Sequence, residues 1–270
     1  MVRLTKHLLL PLLLSVACLY TYKLEIPESR DWPASGITSI SASTRSGHIN
    51  VAASGSASIA ATITRYCYGR DEADAKEAIE NVVVKDTIEG SELNLWAEMP
   101  GGRRSYGAYY DITAPDSVSL VLSTSNGSIT LAGMTGGAHA STSNGDVNLL
   151  NTAGDMDLVT SNGGVAVQVH RGGISISTSN GAIECDLAEL GPTESATLVT
   201  SNGKVTLCLP AGVSASFDAE TSNGDIAITG FGYVEYEVSE RTHKRGLIGS
   251  GSSSVTIATS NGDILIRARQ

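Results

Sequence analysis

His139 and Asp157 are the two side chains whose types and spacing most resemble part of a catalytic site. They lie 18 residues apart, and Ser123 and Ser141 would lie one strand position away if successive segments stack side by side. A histidine held by a carboxylate can take the proton of a serine hydroxyl and so activate that serine as a nucleophile. Because serines are abundant in this stretch, we interpret the trio as a coincidence of composition and predict no catalytic residue.

Paired carboxylates would be needed in a polysaccharide-active enzyme, since glycoside hydrolases use two of them at the reacting bond. Asp146 has no acidic neighbour at the repeat spacing described below, and Asp225 is expected beside Lys204, one coil away. Asp218 and Glu220 are expected to lie beside a threonine and a valine of the preceding coil. The sequence therefore offers no acid–base pair, and we predict that the protein is not an enzyme.

Metal-ligating and disulfide-forming residues are also sparse. The five histidines show no metal-ligand spacing, and the sequence contains no Cys-x-x-Cys pair. Cys185 occupies an expected inward position and Cys208 the opposite face, so a direct disulfide between them is not expected. We therefore predict no metal and no cofactor.

The N-terminal residues have the features of an export signal. Two basic residues precede an apolar run at 8–14, and small residues at 15 and 17 precede Cys18. This stretch is too short to span a bilayer, which needs about 20 apolar residues. Two interpretations share cleavage before Cys18: a secretory signal peptide at 1–17, or a lipoprotein signal in which Cys18 is the first mature residue and carries the lipid. A third interpretation is an uncleaved N-terminal anchor.

The charge of the chain argues against two classes of partner. The sequence has 18 Lys and Arg against 28 Asp and Glu, and cleavage after residue 17 would remove two of the basic residues. Nucleic-acid binding needs clusters of basic residues to neutralise phosphates, and anionic lipid surfaces also attract basic segments. We therefore expect no nucleic-acid partner, and membrane contact only through an N-terminal lipid anchor.

A repeated tetrapeptide dominates the middle and the end of the chain. Thr-Ser-Asn-Gly occurs seven times, at steps of 18, 18, 18, 22, 21 and 38 residues. Its asparagines are Asn126, Asn144, Asn162, Asn180, Asn202, Asn223 and Asn261. A weaker copy lies at residues 44–47, and we interpret the long last step as two periods with a degenerate coil near residues 238–247. Repeats of about 20 residues are typical of solenoids, propellers and arrays.

Apolar and polar residues alternate on both sides of every motif, as Leu120, Leu122, Ile129 and Leu131 show around the first copy. This alternation predicts a strand, an Asn-Gly turn and a second strand in each repeat. An antiparallel meander with type I′ turns and a β-solenoid with one coil per repeat both satisfy the pattern. The unchanged motif favours the solenoid, because copies stacked about 4.8 Å apart could join their Asn side chains in a ladder. We predict an all-β, single-chain β-solenoid (β-helix) of 18–22-residue coils over residues 36–270, with the meander as the alternative.

Residues 52–118 interrupt the repeat and are predicted to form an insert of long strands with one short helix. A strand is expected over 58–68, a helix over 71–80, where Ala and Glu are frequent, and two strands over 81–99. The insert either lies against the solenoid or caps one end, which stacked repeats require. Aromatic side chains gather there and either cover the solenoid or, if exposed, stack on sugar rings. These residues are Tyr66, Tyr68, Trp96, Tyr106, Tyr109 and Tyr110.

Coils with the sequence Thr-Ser-Asn-Gly-Asp-Ile resemble a family of bacterial adhesins of unknown function, related to the head domains of auto-transporter adhesins. The matching segments are residues 221–228, residues 259–266 and the pre-repeat Tyr110-Asp111-Ile112-Thr113-Ala114-Pro115. The resemblance covers residues 36–270 and implies an envelope-associated β-solenoid without a cofactor. It implies no activity, because the family has no established chemistry. The long step after Thr221, with basic residues within 241–245, departs from perfect repetition.

Together these observations predict a non-enzymatic, extracytoplasmic protein of the cell envelope, either lipid-anchored or secreted. Its stacked coils would present an adhesin-like binding or scaffold surface to an envelope protein or a glycan. The alternative function is an envelope-stress sensor or regulator that binds another envelope protein.

Overall fold

The computed structural model describes residues 21–101 and 105–270. The predicted signal at 1–17 and the predicted lipid attachment residue Cys18 lie outside these described residues. The elements up to residue 118 are β1 (Tyr22–Pro33), β2 (Ser39–Ser46), β3 (Ile49–Ala53), β4 (Ser58–Gly69), α1 (Glu72–Ile79), β5 (Val83–Glu89), β6 (Glu92–Glu98) and β7 (Tyr106–Ala114).

The repeat region follows with strands that alternate between two sheets. These strands are β8 (Ser119–Asn126), β9 (Ile129–Ala132), β10 (Ala138–Asn144), β11 (Val147–Ala153), β12 (Met156–Asn162), β13 (Val165–Arg171), β14 (Ile174–Asn180), β15 (Ile183–Glu189), β16 (Ser195–Asn202), β17 (Val205–Leu209), β18 (Ala215–Asn223) and β19 (Ile226–Thr229). The C-terminal strands are β20 (Val234–Ser239), β21 (His243–Ile248), β22 (Ser253–Asn261) and β23 (Ile264–Ala268).

Two sheets face each other across one hydrophobic core. Sheet A has 11 strands in the order β1-β4-β7-β3-β9-β11-β13-β15-β17-β23-β19. Sheet B has 12 strands in the order β20-β21-β18-β22-β16-β14-β12-β10-β8-β2-β6-β5. The inward side chains of both sheets fill the space between them, and most of these are aliphatic residues with almost no exposed surface.

Each Thr-Ser-Asn-Gly coil contributes one strand to each sheet, with the motif at the turn between the two strands. In sheet B, β10 pairs in parallel with both β8 and β12, and in sheet A, β11 pairs in parallel with both β9 and β13. Equivalent residues lie opposite one another, so Leu122 lies beside Ala140 and Thr124 beside Thr142. Parallel pairing of successive coils confirms the predicted β-solenoid and rules out the antiparallel meander.

The spatial order of the coils differs from their order in the sequence at both ends of the stack. The last coil, β22–β23, lies between β16–β17 and β18–β19. The predicted degenerate coil near residues 238–247 is wrong, because β20 and β21 form an antiparallel hairpin that pairs with β18. At the other end, β2–β3 lies between β8–β9 and the later strands β6 and β7.

The N-terminal end of the stack is closed by antiparallel strands and a group of ion pairs. Strands β4 and β1 extend sheet A, and β5 extends sheet B, all by antiparallel pairing. Arg30 of β1 makes ion pairs with Asp86 of β5 and, at 2.7 Å, with Glu28. Trp32 Nε1 donates to the Asp86 carboxylate over 3.0 Å. These contacts join the two sheets where no further coil is present to cover the core.

The helix α1 packs beside this closed end. Asp71 is its N-cap, and the Asp71 carboxylate accepts a hydrogen bond from the Asp74 amide over 2.8 Å. The buried side chains Ala75, Ala78 and Ile79 form a small apolar cluster with β4. By length and hydropathy, no helix within residues 21–101 and 105–270 qualifies as a membrane span.

Candidate functional site

The turn that carries each motif is built by contacts with the same turn of the neighbouring coil. Each motif threonine is buried, and its hydroxyl donates to a glycine carbonyl of the adjacent coil. Thr142 Oγ1 donates to Gly127 O over 2.9 Å, for example, and Thr160 Oγ1 donates to Gly145 O over 2.9 Å. A buried hydroxyl without a partner destabilises a protein by about 1–3 kcal/mol. This bond explains why a hydroxyl residue occupies the first motif position.

The motif glycine is required because backbone of the neighbouring coil occupies the space of a side chain. A Cβ atom on Gly163 would lie 2.0 Å from the carbonyl oxygen of Gly145, and one on Gly181 would lie 1.9 Å from Gly163 O. At the next position, a Cβ atom on Gly164 would have its closest neighbour at 3.3 Å. Other coils carry serine, aspartate, alanine or lysine there. Close contact with the neighbouring coil therefore restricts the motif glycine, whereas the position after it is free to vary.

The motif asparagines form a ladder of side-chain hydrogen bonds along the exposed turn edge. From Asn144 onward, each Nδ2 donates to the Oδ1 of the asparagine in the preceding coil of the stack, over 2.8–3.1 Å. The first member, Asn126, donates to the Arg45 carbonyl oxygen instead. In spatial order the ladder is Asn126, Asn144, Asn162, Asn180, Asn202, Asn261 and Asn223. The last two are reversed relative to the sequence, because β22–β23 is inserted before β18–β19.

The same insertion changes a predicted charge contact. The expected stacking of Asp225 beside Lys204 is wrong, because Asp263 of the last coil lies between them. The Asp225 amide donates to Asp263 Oδ1 over 2.9 Å, and Arg241 makes an ion pair with the Asp225 carboxylate at 3.1 Å. Both side chains of this ion pair are exposed, so it contributes little to stability.

The predicted contact between His139 and Asp157 is confirmed on the outer face of sheet B. The two residues lie opposite each other on β10 and β12, with His139 Nδ1 2.8 Å from Asp157 Oδ2. On the other side of His139 the register places Val121, which has no hydroxyl. Asp155 and Glu194 line the same open groove of about 630 Å³. The candidate nucleophiles Ser123 and Ser141 lie opposite each other, two residues further along β8 and β10. The groove beside His139 is acidic, and the His139 and Asp157 side chains are 46% and 53% exposed.

A second histidine lies inside the solenoid. His170 is fully buried, with Nδ1 3.0 Å from Thr152 Oγ1 and Nε2 3.3 Å from the Gly173 carbonyl oxygen. A carbonyl oxygen only accepts, so in the neutral ring Nε2 carries the proton and Nδ1 accepts from the Thr152 hydroxyl. Burial lowers the pKa of His170, and this effect outweighs the hydrogen bonds to Gly173 and Thr152. His170 is therefore a neutral core residue at neutral pH.

Two residues with left-handed backbone precede this buried pair. Asn151 has φ of 51° and Val169 has φ of 60°, a region that non-glycine residues, and β-branched ones above all, rarely adopt. They precede Thr152 and His170, which are paired on neighbouring strands. At these residues the inward–outward alternation shifts, so that Thr152 and His170 both point into the core. There the two side chains hydrogen-bond to each other.

Three tyrosines, a histidine and a lysine form a cluster on the outer face of sheet A. Tyr109 stacks between His48 and Tyr66, with ring centroids 4.6 Å and 4.7 Å apart, respectively. Lys23 Nζ lies 5.3 Å from the centroids of both tyrosine rings, and Tyr68 meets Tyr66 edge-on at 6.3 Å. Because the rings cover one another, this cluster stabilises the sheet and leaves little ring surface for a ligand.

The other predicted aromatic residues lie apart from this cluster. Tyr110 is fully buried in the main core, and Tyr106 packs against the small cluster under α1. Trp96 is on the other sheet: it lies opposite Ser43 on the outer face of sheet B and is half-buried. The six aromatic residues therefore do not form one surface, because β6 and β7 belong to different sheets.

The three cysteines within the described ranges are buried in separate environments. Cys67 Sγ donates to the Ala75 carbonyl oxygen over 3.2 Å. Cys185 and Cys208 are not joined by a disulfide, and burial raises the pKa of the Cys185 thiol. Arg267 Nε donates to Cys208 Sγ over 3.0 Å. No group of His, Cys, Asp and Glu within the described ranges has the arrangement of a metal site.

Among the groups of interacting side chains that sequence reasoning missed, two differ in whether the sequence held a signal for them. His48 and Lys23 join the tyrosine cluster only because β7 pairs with β3 and β1 pairs with β4, and neither pairing follows the repeat period. The Thr152–His170 pair does follow it, since the two residues are 18 apart. The repeat spacing was therefore a signal that could have found the second pair.

Comparison with known proteins places the chain in a family. A comparison with curated proteins gives no match. Among solved structures, the chain is similar to a candidate cell adhesion protein from Clostridium sporogenes, with 13% identity, a TM-score of 0.37, and 91% of this chain and 100% of the other covered. It is also similar to a candidate adhesin from Bacteroides fragilis, with 14% identity, a TM-score of 0.41, and coverage of 89% and 97%.

The family model described as Toastrack DUF4097 matches residues 33–267. A relation to the head domains of auto-transporter adhesins stays a prediction. Because the match spans most of the sequence, the chain belongs to the Toastrack DUF4097 family.

Proposed function

We propose that the protein is a non-enzymatic component of the bacterial cell envelope whose outer faces bind another molecule in an adhesin-like way or act as a scaffold. The observation that carries this proposal is the continuous outer face of sheet B, whose 12 strands are hydrogen-bonded from edge to edge. Register places the hydroxyls of Ser43, Ser123 and Ser141 side by side on this face. The threonine and asparagine contacts at the turns hold the face in one shape.

The placement of the acidic groups supports binding over catalysis. Asp155, Asp157 and Glu194 line one groove, but it is open, with the His139 and Asp157 side chains 46% and 53% exposed. Asp225 and Asp263 are neighbours, but they lie on the exposed turn edge. A catalytic pair of carboxylates works in a concave site that excludes water.

We also propose that the protein is extracytoplasmic and that Cys18 carries a lipid after removal of residues 1–17. Three residues separate Cys18 from Tyr22, where β1 begins at the outermost position of sheet A. An anchor at Cys18 would therefore keep the N-terminal end of the stack close to the membrane and leave the outer face of sheet B accessible along its length.

Binding to isolated cell envelopes tests the proposed function. Fluorescently labelled protein lacking residues 1–17 and carrying Cys18→Ser is expected to bind envelopes of its own bacterium saturably, without releasing sugar fragments. Heat-unfolded protein is the control and is expected to bind without saturation. Release of glycan fragments that disappears in Asp157→Asn would contradict the proposal, and so would the absence of saturable binding.

Metabolic labelling tests the anchor separately. Full-length protein expressed with an alkyne-tagged fatty acid is expected to incorporate the tag, and Cys18→Ala is expected to lose it. A wild-type protein that is exported and cleaved but carries no tag would contradict lipid attachment and favour secretion.

A further inference from the structure

The outer face of sheet B carries a half-buried indole ring near its N-terminal end. Leu93 and Leu95 of β6 point into the core, so Asn94 and Trp96 point outward. In the part of the chain that the structure describes, Trp96 is the only Phe, Tyr or Trp on the outer face of a sheet B strand. The other tryptophan of the chain, Trp32, is 8% exposed and belongs to the core.

Side chains of the two neighbouring strands flank the indole. Register places Ser43 of β2 on one side of Trp96 and Lys85 of β5 on the other. Lys85 Nζ donates to the Glu98 carboxylate over 2.7 Å, and Glu98 lies two residues after Trp96 on β6. The Trp96 side chain is half-buried, so part of its ring surface stays exposed.

A shallow groove beside the ring supplies hydrogen-bonding groups. It has a volume of about 320 Å³ and is lined by Ser41, Ser43, Thr87, Glu89, Asn94 and Trp96. Hydroxyl and amide side chains both donate and accept, and the indole adds a flat apolar surface. A sugar ring has the matching parts, because its C–H groups pack on an aromatic face while its hydroxyls form hydrogen bonds around the rim.

We propose that this groove, the Trp96 groove, binds a neutral oligosaccharide with one sugar ring stacked on Trp96. Glu89, Glu92 and Glu98 surround the groove on β5 and β6, so an anionic sugar would meet like charge. The inference rests on the proposed binding function and names the class of ligand for that surface.

A row of serines extends the Trp96 groove across the sheet. Ser43, Ser123 and Ser141 lie on adjacent strands in the same row as Trp96. Neighbouring strands are about 4.8 Å apart, so the row runs perpendicular to the strands for roughly 15 Å. Further sugar rings of the bound oligosaccharide lie along these hydroxyls. We therefore expect an oligosaccharide to bind more tightly than a monosaccharide.

Titration with neutral hexasaccharides tests the Trp96 groove. Cellohexaose, mannohexaose and xylohexaose are the probes, and hexagalacturonate is the anionic comparison. In a Trp32→Phe variant, Trp96 is the sole tryptophan, so a stacked sugar is expected to change its fluorescence saturably. Calorimetry on the otherwise unaltered protein is expected to show binding of at least one neutral probe and about tenfold weaker binding, or none, in Trp96→Ala. Tyr233→Ala removes a ring that is 65% exposed near the opposite end of the stack and is expected to bind as the wild type does.

The proposal is overturned if none of the neutral hexasaccharides binds at millimolar concentration, or if Trp96→Ala binds as tightly as the wild type. Saturable envelope binding by the wild type in the same preparation would then leave the proposed function standing, whereas its absence would remove both. Should Trp96→Ala not fold, as judged by circular dichroism, Asn94→Ala keeps the ring and removes a polar partner. That variant is expected to bind about fivefold more weakly, and an unchanged affinity would equally overturn the proposal.

Discussion

The central coils and the two ends of the stack share one turn chemistry but differ in how chain order maps onto space. From β8–β9 to β16–β17, coils that are consecutive in sequence are also adjacent in space. At one end, β22–β23 lies between β16–β17 and β18–β19, although it follows both in sequence. At the other end, β2–β3 lies between β8–β9 and the strands β6 and β7, although it precedes all of them in sequence. Copies of one motif make the same contacts, so the repeat specifies how two coils meet but not which two coils meet.

The ends also differ from the centre in how the sheets stop. A parallel edge offers unpaired backbone groups to any further strand. Antiparallel strands outside the repeat form three of the four sheet edges, namely β1, β5 and β20, and the remaining edge strand, β19, has only four residues. The non-repeat segments therefore decide both the order and the length of the stack.

Removal of residues 253–270 is the strongest way to break this comparison. In a sequential stack the last coil would be dispensable, but here its loss leaves β18–β19 without a parallel neighbour. Val255, Ile257, Ile264 and Ile266 are at most 1% exposed, and their burial contributes about 6–12 kcal/mol. We expect hydrogen exchange to show loss of protection in β18–β21 and retained protection in β10–β13. Full protection of β18–β19 in the shortened chain would contradict the inserted position of the last coil.

Substitution of a motif glycine tests the close approach of coils in the centre. Gly163→Ala is expected to lower the free energy of unfolding by about 3 kcal/mol or more, because its Cβ atom would lie 2.0 Å from Gly145 O. Gly164→Ala is the matched control, one residue away, and is expected to change stability by about 1 kcal/mol or less. Urea unfolding followed by circular dichroism measures both. Equal losses in the two variants would show that the neighbouring coil does not restrict the turn.

Gly224→Ala extends this test to the end of the stack. Its Cβ atom would lie 2.1 Å from Gly262 O, but β18–β19 has a parallel neighbour on one side only and can shift more easily. We therefore expect a smaller loss than in Gly163→Ala, measured in the same urea series. A larger loss at the end would reverse the comparison between centre and ends.

The buried His170 makes the stability of the central coils depend on pH. Burial holds the pKa of His170 below its ordinary value of 6.5 in the folded chain, so the unfolded chain binds the additional proton first as pH falls. The neutral His170 ring therefore contributes fully to the free energy of unfolding above about pH 6.5, and this contribution is lost progressively below that value. We expect urea midpoints to fall from about pH 7.5 to pH 5, and His170→Gln to reduce this fall.

His139→Gln is the control for the pH series, because it removes an exposed imidazole from the same region. It is expected to keep most of the wild-type dependence on pH. Identical pH profiles for the wild type and His170→Gln would contradict the assignment of the buried neutral ring.

The asparagine ladder gives the smallest expected difference between centre and end. Asn162 donates to Asn144 and accepts from Asn180, whereas Asn223 at the end donates to Asn261 and has no later ladder member. We expect Asn162→Ala to destabilise the protein by about 1–2 kcal/mol and Asn223→Ala by about half as much. Equal urea midpoints for the two variants would indicate that the ladder does not contribute cooperatively.

The coils themselves were predictable from the sequence, because alternation and a constant turn motif specify which residues point inward. The contact of His139 with Asp157 followed directly from the 18-residue period. The period could not predict contacts that depend on which coils are neighbours, and the Lys204–Asp225 prediction failed for that reason.

Pairings outside the repeat were equally inaccessible to sequence reasoning. Trp96 and Tyr106 are ten residues apart in sequence, yet β6 and β7 enter different sheets. The two rings are separated because β6 pairs with β2, whereas β7 pairs with β3 and β4. No local sequence pattern predicts these long-range pairings. The Trp96 groove was visible only once both sheets were known.

Disulfide formation between paired engineered cysteines tests the inserted coil most directly. The register of β16 with β22 places Ser201 beside Ser260, whereas Ser201 and Ser222 are two strands apart. Two strand spacings are about 10 Å, beyond the roughly 7 Å between Cα atoms that a disulfide can bridge. In a Cys18→Ser background, mild oxidation is expected to link Ser201→Cys to Ser260→Cys and to leave the Ser201→Cys and Ser222→Cys pair reduced. A disulfide in the second pair, with free thiols in the first, would contradict the stacking order on which this account rests.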